Sequence, residues 1–135
     1  MVELEVWYDQ DAENDYGSGD PAYVVSTVGE LNALVDRVLV ETRDHRCPAM
    51  IQVNVHGQRL PVLEVGLGRE RGFIVYHAED GGSTKGDGDP LARVEYVYMG
   101  SLSETSADVE VGLHDVRHGL MEFMETGQRP SVIHD

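Results

Sequence analysis

Two four-residue connectors, HGQR (56–59) and GRER (68–71), constrain this chain more than any other feature. They separate three apolar segments, 50–55, 60–67 and 72–77, each of strand length. Links this short cannot carry a crossover, which takes a dozen residues or more, so the neighbouring segments must pair as antiparallel hairpins. A fourth strand-like segment, 93–99, follows the long stretch AEDGGSTKGDGDP (78–90). So many glycines and acids predict a mobile, exposed loop there. Near the start, Val2, Leu4 and Val6 alternate with Glu3, Glu5 and Trp7, the pattern of a strand with one buried face. Residues 23–25 are a candidate for a further short strand, after an acidic, turn-rich loop.

Helical periodicity brackets these segments. Thr27 stands three residues before Glu30, a capping box in which each side chain satisfies the other's backbone N–H. Leu31, Leu34, Val35, Val38 and Leu39 then fall on one stripe, and the helix should end near Thr42. A second stripe, Leu113, Val116, Leu120, Phe123 and Met124, closes on LMEFMETGQRP. There Gly127 suits a left-handed capping position and Pro130 prevents the helix resuming, which aims SVIHD back along the fold as a possible edge strand. The expected architecture is α+β: one domain over 1–135, with a single antiparallel sheet of about five or six strands and two main helices packed on it.

Charge excludes several functions. Ten Lys and Arg against twenty-five Asp and Glu give −15, which repels nucleic acid and anionic lipid and favours encounter with a basic partner. Solubility alone would also account for it. No apolar run approaches the roughly 20 residues of a membrane span, and MVELEVWYDQ lacks the features of a secretory signal. Cys47 is the only cysteine, so no internal disulfide can form and a reducing cytoplasm is expected.

Several patterns resemble chemistry. HDVRH (114–118) imitates a zinc helix, but the apolar stripe turns His114 and His118 away from the core, toward solvent. GLGRERG (66–72) could cradle a phosphate only if a helix followed, and GFIVYH reads as a strand. GGSTKGDGD (81–89) lacks the twelve-residue loop and closing glutamate of a calcium site. Cys47 and His45, two apart on a connector, seldom hold nucleophile–base geometry, so a structural thiol is expected. Trp7, Tyr8, Tyr76, Tyr96 and Tyr98 read as core and cross-strand packing, since base stacking needs a basic surround. No enzyme, metal or cofactor emerges.

VVSTVGELNALVDRV, VGLGRERGFIVY, YVYMGS and LMEFMETGQRP occur in the order, and with the features, of a known family. Together they resemble immunity protein family one of bacterial polymorphic toxin systems, small actinobacterial proteins often encoded beside a deaminase-type toxin. The most specific matches are Phe123, Thr126, Gly127 and Pro130, together with the Gly-x-Gly hairpin leading to Phe73 and Tyr76; Arg117 also fits the closing helix. Val116 replaces a small residue that Gly119 keeps, and His134 and Asp135 stand where the family often has a Trp. The resemblance implies an antitoxin that neutralises a nucleic-acid-targeting toxin of basic surface by binding alone. The contact surface is then expected on the acidic loops, at Asp9, Asp11, Glu13 and Asp15 and at Asp80, Asp87 and Asp89. A non-catalytic binding or scaffold module, able to dimerise through an open sheet edge, is the alternative.

Overall fold

The computed structural model describes residues 1–8, 22–98 and 100–135. The first helix, α1 (Val28–Glu41), begins where Thr27 Oγ1 accepts the Glu30 N–H at 3.1 Å. Only this half of the capping box forms as expected: Glu30 meets the Thr27 hydroxyl rather than its backbone N–H. Leu31, Leu34, Val35 and Val38 are buried, and the buried Thr42 closes the helix by donating its hydroxyl to the Val38 carbonyl at 2.8 Å.

The sheet is larger than the sequence suggested. Among the described residues it has nine strands, not five or six, though the class remains α+β. Its main path runs β2 (Tyr23–Val25), β1 (Leu4–Trp7), β3 (Ala49–Val55), β4 (Val62–Leu67), β5 (Arg71–His77) and β6 (Gly82–Ser83), every neighbouring pair antiparallel. Three strands escaped the sequence reading for physical reasons. β6 and β9 (Val111–Gly112) are two residues each, too short for any periodicity. β8 (Ser101–Ser106) reads SLSETS, with one apolar residue, and it pairs antiparallel with β7 (Arg93–Tyr98). The sheet is also not wholly antiparallel. β7 runs parallel to the start of β3, through Ala49↔Val97 and Met50↔Tyr98, beside the stretch of β3 that β1 occupies.

Strand alternation divides the core between the two faces of the sheet. Leu4, Val6, Ile51, Val53, Leu63, Val65 and Ile74 face the helices and meet both helical stripes. On the other face Met50, Phe73, Tyr96 and Val109 form a second cluster, in which the Phe73 and Tyr96 rings meet edge to face at 4.9 Å. The second helix, α2 (Leu113–Thr126), buries Val116, Leu120, Phe123 and Met124. Gly119 is buried with them at a close approach: a Cβ there would stand 2.8 Å from both Ile74 and Val132. Arg117 ties the two helices together, donating to Asp36 at 2.5 Å and to Asn32 at 3.3 Å.

The stop of α2 has the expected form. Gly127 takes φ +68°, and its N–H returns to the Phe123 carbonyl at 2.7 Å. Glu122 locks the segment beyond it, accepting the Ser131 hydroxyl at 2.6 Å and the Ser131 N–H at 3.2 Å. SVIHD does not form an edge strand. It contributes a single antiparallel bridge, His134 to Ser83. The Ser131 hydroxyl, then the Ser131 N–H and nearby His118, outweigh partial burial and hold the Glu122 carboxyl below its ordinary value.

Because the folded value is depressed, the stability this contributes is present above the unfolded value and lost as pH falls through the folded one. Thermal melts should therefore show a drop in stability as pH falls below roughly 4.3, the ordinary glutamate value, and Glu122→Gln should show a smaller one. An identical acid limb in the two proteins would refute this role for Glu122.

Candidate partner-binding surface

The expected contact residues fall into two groups. Asp9, Asp11, Glu13 and Asp15 lie outside the described residues. Asp80, Asp87 and Asp89 are exposed on the segment between β5 and β7, as a partner contact requires. Asp80 stands near Tyr76, whose hydroxyl is raised above its ordinary value by burial first and by the Asp80 charge second. Asp87 is 95% exposed, and its nearest cation, Arg71, is 3.8 Å away. Asp89 accepts the Leu91 N–H at 2.9 Å.

That segment was expected to be mobile, and its hydrogen bonding says otherwise. Thr84, in its middle, is fully buried. Its hydroxyl accepts the Ile74 N–H at 3.0 Å and donates to the Val109 carbonyl at 2.7 Å. Gly86 N–H reaches the Asp108 carbonyl at 2.6 Å, and Ser83 exchanges backbone hydrogen bonds with His134 at 3.0 and 2.8 Å. One small residue that buries its methyl group and satisfies two backbone groups with its hydroxyl thus fastens a glycine-rich chain to the sheet, and the acids stand on a fixed ridge.

The resemblances to chemical sites resolve as packing and surface pairs. His114 and His118 are exposed on the outer side of α2, and His118 pairs with Glu122 at 3.0 Å. His56 pairs with Glu5 at 2.7 Å, and His77 with Glu64. Each pair joins one histidine to one carboxylate, and no group of three metal-binding side chains occurs among the described residues. GLGRERG is the β4–β5 hairpin, closed by the Gly68 N–H to the Arg71 carbonyl at 2.9 Å. Cys47 is half-buried on the connector after α1. Tyr96 is buried, and its hydroxyl donates to Glu110 at 2.6 Å; burial first, then Glu110, raises its pKa strongly. Tyr98 donates to Gln52 at 2.9 Å, and Trp7 to Asn54 at 3.2 Å. No helix of the described residues is long and apolar enough to cross a membrane.

One feature went unseen in the sequence. A groove of about 720 Å³ opens between the end of α1 with its connector and the β4–β5 turn. Arg43, Arg46, Arg69 and Arg71 line it, four of the ten basic residues of the chain. Leu39, Val40, Pro48 and Leu67 supply apolar wall, and Glu70 and Glu110 are the acids among its lining residues. The two arginine pairs come from segments more than twenty positions apart. RDHR and RER are visible as motifs, but only the fold shows that they meet.

The family described as immunity protein Imm1 matches residues 19–134, from before β2 to the residue that bridges Ser83. No curated protein matches the chain. The family match spans both helices, strands β2 to β9 and the terminal lock around Gly127. The chain belongs to the Imm1 family of immunity proteins, whose work is toxin neutralisation.

Proposed function

We propose that the protein binds and neutralises a cognate toxin that acts on nucleic acid, a deaminase-type domain with a basic substrate surface, and that it does so in the cytoplasm without catalysis of its own. The net charge of −15 on a member of an immunity family carries this reading. A protein that processes nucleic acid needs a positive groove for phosphates, and an inhibitor covered in carboxylates both competes for that groove and is drawn to it. The fixed ridge bearing Asp80, Asp87 and Asp89 supports the reading further, because carboxylates held in place lose less freedom on binding than carboxylates on a loose chain.

The test is co-expression with the product of the adjacent gene. Rescue of growth and a co-purifying complex are expected; growth arrest without a complex would end the reading. Between 0.01 M and 0.15 M salt the Debye length falls from about 30 Å to about 8 Å, and association should slow by about tenfold or more. A salt-independent rate would remove electrostatic capture from the mechanism.

A further inference from the structure

We propose that the arginine-lined groove receives an acidic segment of the toxin, a loop or helix end carrying at least two carboxylates beside one apolar side chain. This inference rests on the proposed immunity function and adds to it the chemistry of one docking point.

The groove contradicts its surroundings. Four arginines against two glutamates give it +2, on a chain whose total is −15. A partner that were basic throughout would meet like charge here, so the groove selects a partner with a local patch of acid. The arginines have capacity to spare. Arg43 and Arg46 are exposed, and their side chains form no hydrogen bond or ion pair with a described residue. Arg69 donates to the His45 carbonyl at 3.3 Å, which ties the hairpin to the connector and leaves most of its donors open. Arg71 pairs loosely with the exposed Asp87 at 3.8 Å, a contact in water that a docked carboxylate can replace. A guanidinium offers a planar fork that takes a carboxylate in two parallel hydrogen bonds, and arginine is enriched among the residues that dominate binding energy.

The walls define the rest of the ligand. Val40 is 59% exposed although it belongs to a helix whose other face is buried. With the half-buried Leu39 and Pro48 it gives an apolar side chain somewhere to sit beside the arginines. Nucleic acid is the poorer occupant. A run of phosphates needs an extended basic track, whereas the chain as a whole carries −15 and Glu70 and Glu110 line this groove. The acid ridge draws the toxin in, and the arginine groove fixes how it sits.

The experiment measures affinity for the purified product of the adjacent gene by calorimetry, for the wild type and for R43E/R46E. Both positions are on an exposed connector, and thermal melts check that the fold survives. Loss of about 100-fold or more in affinity with an unchanged melt is expected. Should R43E/R46E fail to fold, R43Q/R46Q is read in its place, with about tenfold loss expected. Wild-type affinity in the folded variant would overturn the groove while leaving the immunity function standing; no binding by the wild type would instead overturn the function itself. Arginine-dependent binding of a labelled single-stranded oligonucleotide that competes with the toxin would also overturn the proposal.

Discussion

Phe123→Ala is expected to destabilise the protein by about 3–5 kcal/mol, the range for emptying a fully buried aromatic site. The ring is 0% exposed and meets Tyr76 edge to face, centroids 6.5 Å apart at 80°. It lies in the one layer where α2, α1 and the sheet come together, so no side chain can move in from solvent to fill the space. Against the 5–15 kcal/mol by which folded domains are stable, a loss of this size leaves little. A melting temperature lower by roughly 10–20 °C should follow. Phe123→Leu keeps most of the volume and should cost less than half as much. A Phe123→Ala melt within about 3 °C of the wild type would show that the buried stripe of α2 contributes little to stability. The consequence for immunity runs through abundance. Phe123 is fully buried, so the folded fraction should bind toxin normally while the steady-state amount of protector falls.

Such a prediction was within reach of the sequence, because helices of this kind declare themselves. The spacing of Leu31, Leu34, Val35 and Val38, the cap at Thr27 and the stop at Gly127 are local signals, and the structure bears them out but for the Glu30 half of the capping box. Hairpins joined by GRER are equally local. What stayed hidden depends on contacts distant in sequence. β8 is held by pairing with β7 rather than by burial, so its six residues carry no apolar rhythm. The parallel contact of β7 with β3 joins residues nearly fifty positions apart, and nothing in either segment announces it. The arginine groove arises in the same way, from two charged turns that read as ordinary solvated loops until the fold brings them together. The acidic loop between β5 and β7 misled for a different reason. Glycine and aspartate dominate its composition, while one buried threonine and a few backbone hydrogen bonds tie it to the sheet.

That threonine supports the second large effect. Thr84→Val is close to the native shape and removes only the hydroxyl, yet it is expected to cost about 2–4 kcal/mol, because each buried group left without a partner costs roughly 1–3 kcal/mol. The Ile74 N–H would lose its acceptor and the Val109 carbonyl its donor, both in the interior. The Thr84 N–H would still reach the Ile74 carbonyl at 2.9 Å, so the strand edge should loosen rather than detach. Hydrogen exchange separates this from a global effect. The Ile74 and Gly86 amides should lose protection well beyond the fall in overall stability, whereas amides of β3 and β4 should follow it. Thr84→Ser keeps the hydroxyl and should preserve protection at Ile74 for the loss of one methyl, about 1 kcal/mol. If the ridge acids contact the toxin, Thr84→Val should also weaken binding without altering a single charge, since Asp80, Asp87 and Asp89 would have to be ordered at the moment of contact. Equal protection at Ile74 in the wild type and Thr84→Val would mean that the backbone finds other partners there and that the ridge does not depend on this side chain.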